Sequence, residues 1–290
     1  MSSQQSSPRS IASFIKMSDA ALKAAGIASY HLDTELLLAN TLNLKREWLL
    51  AHSGADIAEP EWNKLCQLLY LRSQRCPLAY LTGHKEFYGR DFIVTPDVLI
   101  PRPESEQIIE YVKEICASHS VASLADIGTG SGCLAITAKL ECPELQVIAA
   151  DISPAALAIA EQNANRLLSS STESETTADK IDFVQSDLCS NLSDKFDIII
   201  ANLPYVRYDD EFVSPEINFE PSLALFDKDK DGLGLIRKLL HQAPEHLNNN
   251  SYLILEMEPD QIKKLLEDLP NNFKVMKREP FTLVLQFQTI

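Results

Sequence analysis

Residues 123–132 read SLADIGTGSG. The short run SLADI (123–127) has the character of a buried strand, and it passes through Gly128-Thr129-Gly130-Ser131-Gly132 into a helical pattern over 131–141. Glycines permit positive φ and let a backbone approach a ligand, while the first turn of a helix offers unpaired N–H groups. A bare G-x-G-x-G is equally compatible with a tight turn, so its neighbours decide. Asp126 stands in the strand ahead of the loop. Asp151 ends the next strand, VIAAD (147–151), where an acid commonly accepts hydrogen bonds from ribose hydroxyls. The pair points to nucleoside recognition at the carboxyl ends of adjacent parallel strands.

Working outward, strands and helices alternate. A helix is expected near 104–118, a helix at 154–168, strands IDFVQ (181–185) and FDIIIAN (196–202), and a helix near 232–247. The strand YLILEM (252–257), a helix over 259–268 and two last strands, FKVMKRE and TLVLQFQ, follow. Apolar strands separated by helices predict a doubly wound α/β sheet, and two successive strands at the end add an antiparallel edge. Residues 11–75 carry helical periodicity instead, and Phe87 to Ile100 read as a hairpin. The expected division is a helical substrate-recognition domain at 1–85, a β-hairpin linker at 86–100 and a cofactor-binding domain at 101–290. The polar stretch 169–179 (SSSTESETTAD) reads as a mobile surface loop.

Composition excludes several classes. With 26 Lys and Arg against 41 Asp and Glu, the formal charge is −15, the opposite of a polyanion-binding footprint. The six cysteines form no C-x-x-C pair and the six histidines are dispersed, so neither a metal site nor a disulfide framework is expected. The polar start MSSQQSSPRS lacks a signal-like apolar region, and no uninterrupted apolar run approaches the ~18 residues a membrane span needs, so a cytoplasmic protein is expected.

The loop spacing separates two cofactor types. A dinucleotide site reads G-x-G-x-x-G and sets a helix N-terminus against a pyrophosphate. Here the third glycine comes one residue early, and the chain has no candidate Tyr-x-x-x-Lys relay, which argues against a nicotinamide-dependent oxidoreductase. S-adenosylmethionine has no phosphate, and its methionine part can be held by loop amides and a carboxylate such as Asp126. After the strand IDFVQ, Asp187 could accept from an adenine amino group and Leu188 could cover the ring. Asn202-Leu203-Pro204-Tyr205 then closes the strand IIIAN at the switch point of the sheet. A planar NH2 group is a weak nucleophile until its protons are held. The Asn202 side-chain oxygen and the Leu203 carbonyl can accept them, and Tyr205 can stack on the plane.

These segments resemble the class I S-adenosylmethionine-dependent methyltransferases. Within that class the chain is similar to the protein-(glutamine-N5) methyltransferases that modify peptide chain release factors. The resemblance rests on PLAYLTGHKEF (77–87), VLIPRPESE (98–106), DIGTGSG (126–132), NLPY (202–205), DGLG (231–234) and LILE (253–256). Leu203 stands where the family has its first proline, Ser105 where threonine is usual, Ser222 where arginine follows Glu-Pro, and Glu258 where glycine is usual.

The resemblance implies a Rossmann-like, seven-stranded mixed sheet beside a small N-terminal helical domain, with a connecting hairpin. It implies Asn202, Leu203, Pro204 and Tyr205 as catalytic and substrate-binding residues, with Arg102 and Glu104 shaping the substrate entrance. The cofactor set is Asp126, Gly128, Thr129, Gly130, Ser131, Gly132, Asp151, Ile152, Asp187, Leu188 and Asn202. The expected activity is N5-methylation of the glutamine in a Gly-Gly-Gln motif of release factors by a monomeric enzyme. Two alternatives share the planar nitrogen: a ribosomal-protein glutamine, and an exocyclic amino group of a nucleic acid. Against the second, residues 207–231 hold eight acids and three bases, which would repel a phosphate backbone.

Overall fold

The computed structural model of the chain describes residues 9–168, 180–209 and 214–289. The stretch 169–179 expected as a mobile loop, the acids at 210 and 211, and residues 1–8 lie outside the described residues. The chain divides by contacts into two compact units.

The first unit is helical: α1 (Ile11–Ala24), α2 (Tyr30–Leu42), α3 (Arg46–Ala51), α4 (Glu59–Ser73) and α5 (Leu78–Thr82). Ser10 caps α1, its Oγ accepting from Ser13 N at 3.2 Å. Apolar residues at helical spacing put Phe14, Leu22, Leu37, Leu38 and Leu65 wholly inside, each worth about 1.5–3 kcal/mol on burial. The Phe14 ring meets Trp62 edge-on at 5.6 Å. One polar cluster crosses this core. Asp33 Oδ2 accepts from Arg72 Nε at 2.7 Å, and Arg72 Nη1 donates to Cys76 O at 3.1 Å and Glu216 Oε1 at 3.2 Å. Glu216 belongs to Ser214–Phe219, a short segment that groups with this unit although it is remote in sequence. Every donor of the buried guanidinium named here meets an acceptor, the condition under which such a charge is tolerated.

The second unit runs from Lys85, within the hairpin of β1 (His84–Phe87) and β2 (Arg90–Ile93). Its two turn residues, Tyr88 and Gly89, both have positive φ, at 51° and 72°, as primed hairpin turns require. A 3₁₀ turn at Pro103–Ser105 leads into α6 (Glu106–Ser118), β3 (Ser123–Ile127), α7 (Cys133–Glu141), β4 (Gln146–Asp151) and α8 (Pro154–Leu168). Next come β5 (Ile181–Gln185), β6 (Phe196–Ala201), α9 (Ser222–Leu225), α10 (Gly234–His246) and β7 (Leu247–Glu256). The unit ends with α11 (Pro259–Glu267), β8 (Phe273–Arg278) and β9 (Thr282–Phe287).

The sheet order is β5-β4-β3-β6-β7-β9-β8. The first five strands are parallel, and β9 lies antiparallel between β7 and β8. Chain direction across the sheet reverses between β3 and β6, which opens a crevice at their carboxyl ends. Ile198, Ile200 and Ile254 face one core with α6 and α7, while Ile199, Leu253 and Leu255 face another with α10 and α11. This period-2 alternation of apolar residues on both faces explains the uninterrupted apolar strands.

Several element ends differ from the expected ones by one or two residues, and the hairpin spans 84–93 rather than Phe87 to Ile100. Two of the differences have a clear local cause. The helix after the glycine loop starts at Cys133 rather than 131, because Gly132 has φ 79° and sits at the cap. Strand β7 starts at Leu247, ahead of the expected 252, through an irregular stretch. Its pairing jumps from Phe196↔Leu247 to Ile198↔Tyr252, and Asn250 takes φ 63°. Asn248-Asn249-Asn250 has no apolar alternation to mark it as strand.

Candidate active site

A cavity opens where β3 and β6 end, with about 1110 Å³ of free space counting the part open to solvent. Its first wall is the glycine loop, whose backbone N–H groups are held by Ala150 O and by nearby carboxylates. Gly128 N and Thr129 N both donate to Ala150 O, at 2.8 and 3.0 Å. Gly130 N donates to Asp151 Oδ2 at 2.9 Å, and Ser153 N to Asp151 Oδ1 at 2.9 Å. Gly132 is needed for packing: a Cβ there would lie 2.9 Å from Ile136 Cδ1 and 3.2 Å from Ala160 Cα. At Gly130 a Cβ would meet nothing within 4 Å, because that side faces the cavity.

Of the expected cofactor residues, Gly128, Thr129, Gly130, Ser131, Asp151, Ile152, Asp187, Leu188 and Asn202 line the cavity; Gly132 and Asp126 do not. Asp126 is completely buried beneath the loop. Its Oδ2 accepts from Thr129 Oγ1 at 2.7 Å and Ala135 N at 3.1 Å, so it ties the loop to the first turn of α7. Burial pushes its carboxyl up to about 7, since a charge there has lost its water. Burial also raises Asp151, at the rim. Leu188 holds φ 53°, an unusual conformation for a leucine, beside Asp187. Asp187 itself is paired at the surface with Lys238 Nζ at 2.6 Å.

The second wall is made by side chains from distant parts of the chain. Asn202 follows β6 and lines the cavity with Leu203 and Pro204. Its Nδ2 donates to Ser105 Oγ at 2.9 Å and to Glu256 Oε1 at 2.8 Å, which leaves Oδ1 as the amide atom turned away from both. Leu203 packs against the loop: a Cβ on Gly128 would stand 3.0 Å from Leu203 Cδ2. Tyr205 does not line the cavity. Its Oη lies 3.4 Å from Glu256 Oε1, and burial raises its phenol well above the usual range. Tyr205 is thus placed behind Asn202, against the same Glu256 carboxylate.

Beneath Tyr205 the backbone is clamped. Gln261 Nε2 donates to Tyr205 O at 2.8 Å and Asp231 O at 2.9 Å. Gly232, with φ 71°, comes so close that a Cβ would lie 2.2 Å from Tyr205 O. The DGLG segment thus supports the Asn202–Tyr205 turn from below. Glu258, in place of glycine, forms a capping box with Gln261 at the start of α11.

Arg102 and Glu104 part company. Arg102 lines the cavity and bonds Glu220 Oε1, while Glu220 Oε2 accepts from Ile100 N at 3.1 Å. The pair anchors the chain just before Pro221, Leu223 and Ala224, which close that side of the cavity. Glu104 is exposed and does not line it. The residues missed from sequence are Glu256, Glu220 and Gln261. All three are buried polar side chains near strand or helix ends, a signal visible only as acids or amides interrupting apolar runs.

Among known proteins, residues 15–83 match the PrmC N-terminal domain and residues 108–215 the methyltransferase small domain. A release factor glutamine methyltransferase of Koribacter versatilis is 38% identical over 262 residues, covering 88% of this chain and 89% of the relative. One of Leptospira interrogans is 35% identical over 267 residues, covering 90% of each. The hMettl16 catalytic domain, solved in complex with MAT2A 3′UTR hairpin 6, is similar at TM-score 0.51 and 16% identity, covering 79% of this chain and 82% of that one. At that identity it shares the fold alone.

Proposed function

The chain belongs to the release factor glutamine methyltransferase family, and on that premise we propose that it transfers a methyl group from S-adenosylmethionine to the side-chain nitrogen of a glutamine in a release factor. The observation that carries this reading is the tethered amide of Asn202 at the rim of the cavity, with Nδ2 held by Ser105 and Glu256.

The residues present fit the cofactor. Gly130 opens its face to the cavity, Ser131 Oγ is buried without a partner among the described residues, and Asp151 stands at the rim with one backbone hydrogen bond on each oxygen. Each carboxylate oxygen can accept again, so ribose hydroxyls have a place there. Ile152, half exposed, and Leu188 give apolar surface for a ring. S-adenosylmethionine would supply an electrophilic methyl on a sulfonium.

The chain's own contribution is positioning and proton holding. Asn202 Oδ1 and the Leu203 carbonyl accept the two N–H protons of the incoming amide, keeping the nitrogen lone pair aimed into the cavity. Leu203 supplies that carbonyl as well as proline would, and Pro204 after it keeps the residue extended. Methyl transfer would move one positive charge from the bound cofactor onto the amide nitrogen and spread it out on the way, which an apolar wall would favour. The methylated nitrogen is then acidic and would lose one proton to solvent, so no strong base is needed beforehand.

Mass spectrometry of peptides after incubation with S-adenosylmethionine and a release factor tests the proposal. Methylation at glutamine is expected. Methyl transfer to an RNA amino group instead would replace it with the nucleic-acid reading.

A further inference from the structure

We propose that Glu256 is the positioning residue that decides which end of the Asn202 carboxamide faces the cavity, an inference that rests on the function proposed above. A carboxamide has an acceptor end and a donor end of nearly equal shape, and only the acceptor end can hold an N–H of an incoming amide. Two groups touch Asn202 Nδ2. Ser105 Oγ, at 2.9 Å, can give or take a hydrogen bond, so by itself it tolerates either orientation. Glu256 Oε1, at 2.8 Å, is a carboxylate oxygen and can only accept. It excludes the orientation that would bring Oδ1 against it.

The sheet places the two residues side by side. Ala201 pairs with Leu255 in the β6–β7 register, so the next residues along each, Asn202 just past β6 and Glu256 at the end of β7, lie side by side on one face. Glu256 is 1% exposed. Tyr205 Oη lies 3.4 Å from the same Oε1, while Oε2 has no partner among the described residues. A proton taken up by this acid therefore goes to Oε2, and Oε1 remains an acceptor in both charge states. Glu256 does not line the cavity; it acts through Asn202.

The test compares Glu256→Leu, Glu256→Met, Glu256→Gln, Asn202→Ala and the double variant Glu256→Leu/Asn202→Ala as full chains. Turnover on a release factor, affinity for S-adenosylmethionine by calorimetry, and melting temperature are measured together. Glu256 is buried with no ion pair among the described residues, so its carboxyl loses hydration without a cation to offset it. An apolar side chain of similar size should therefore be tolerated, and Glu256→Met stands in should the leucine fail. Glu256→Leu should lower kcat by ~100-fold, as loss of one preorganised polar contact does elsewhere, with cofactor affinity within ~3-fold. Glu256→Gln, whose carbonyl can still accept, should recover turnover to within ~5-fold of wild type. The double variant should be no slower than Asn202→Ala, because two residues acting as a unit are not additive. Wild-type turnover in the leucine and methionine variants, or losses that multiply in the double variant, would overturn the inference and leave the function standing. An inactive wild-type chain that still binds S-adenosylmethionine overturns both.

Discussion

The two walls of the cavity are built by different means. The glycine loop is a local structure: Gly128 to Gly132 are contiguous, and their partners Ala150 and Asp151 lie on the adjoining strand. The Asn202 wall draws on Ser105, 97 residues earlier, on Glu256, 54 residues later, and on Gln261, which reaches Tyr205 O across 56 residues. One wall is set by glycine backbone conformation braced by the nearby carboxylates of Asp126 and Asp151, the other by side chains brought together from distant parts of the chain. Damage should follow that division: the loop should fail in binding and folding, and the Asn202 wall in turnover.

The largest expected effect is on the side-chain wall. Asn202→Ala removes the Oδ1 acceptor and leaves Glu256 and Ser105 without their shared donor. Turnover should fall ~10²–10³-fold, the scale of losing one preorganised group at a reacting centre, with S-adenosylmethionine affinity changed far less. Steady-state kinetics with calorimetry checks it. An equal loss in cofactor affinity would erase the contrast between the walls.

The next effect sharpens the comparison through pH, because each wall rests on one buried acid. Burial pushes Asp126 under the loop and Glu256 under Asn202 up to about 7. Carboxyls in an unfolded chain titrate near ~4, so between ~4 and ~7 the folded state binds more protons than the unfolded one. Stability is therefore greatest at the acid end of that window and falls as pH rises through it, by on the order of 4 kcal/mol per group. Melting curves from pH 4 to 8 should show the fall. Asp126→Asn and Glu256→Gln should each remove their own share of it, raising melting temperature more at pH 8 than at pH 5. A profile unchanged by either substitution would mean that the acids are solvated.

Sequence reading recovers the two walls unequally, for the same physical reason. SLADI and IDFVQ match β3 and β5 residue for residue, because buried strands must be apolar and glycine loops must contain glycine. Asn202-Leu203-Pro204-Tyr205 is visible as a turn of unusual chemistry after an apolar strand. Glu256 reads only as an acid ending YLILE, and nothing local says that it faces Asn202; that follows from the β6–β7 register. Asp126 shows the converse, with Oδ2 used by the loop itself and Oδ1 without a partner among the described residues. Its position before the loop is the one a ligand-binding acid would occupy, yet both hydrogen bonds on Oδ2 turn inward to Thr129 and Ala135. Ser214–Phe219 groups with the helical unit, where Glu216 meets Arg72 and Arg75 from far earlier in the chain, again beyond local pattern.

Within the loop, two glycines should separate binding from folding. Gly132→Ala puts a methyl into Ile136 and Ala160 at a φ of 79°, with an expected stability loss of about 2–3 kcal/mol from overpacking and strain combined. Gly130→Ala meets no protein atom at a φ of 56°, so it should cost about 1 kcal/mol from conformation alone. Its methyl points into the cavity and should weaken S-adenosylmethionine binding more than Gly132→Ala does. Thermal melts and calorimetry on the two variants check the split, and equal behaviour in both measurements would break it.

The smallest effect lies at the rim, where Lys238 holds Asp187 at 2.6 Å with 44% and 49% of the two side chains exposed. An exposed pair of this kind contributes about 0.2–1 kcal/mol and weakens with salt. Lys238→Ala releases Asp187, a cavity-lining carboxylate, to accept from a bound ligand, but also removes the cation that kept it oriented. These consequences oppose each other, so S-adenosylmethionine affinity should change less than ~3-fold, with the difference shrinking from low to high salt. Calorimetry at two ionic strengths measures it. A change beyond ~10-fold would exceed what a screened pair can supply, and would place Lys238 in contact with the ligand itself, making the rim a third, charge-built wall.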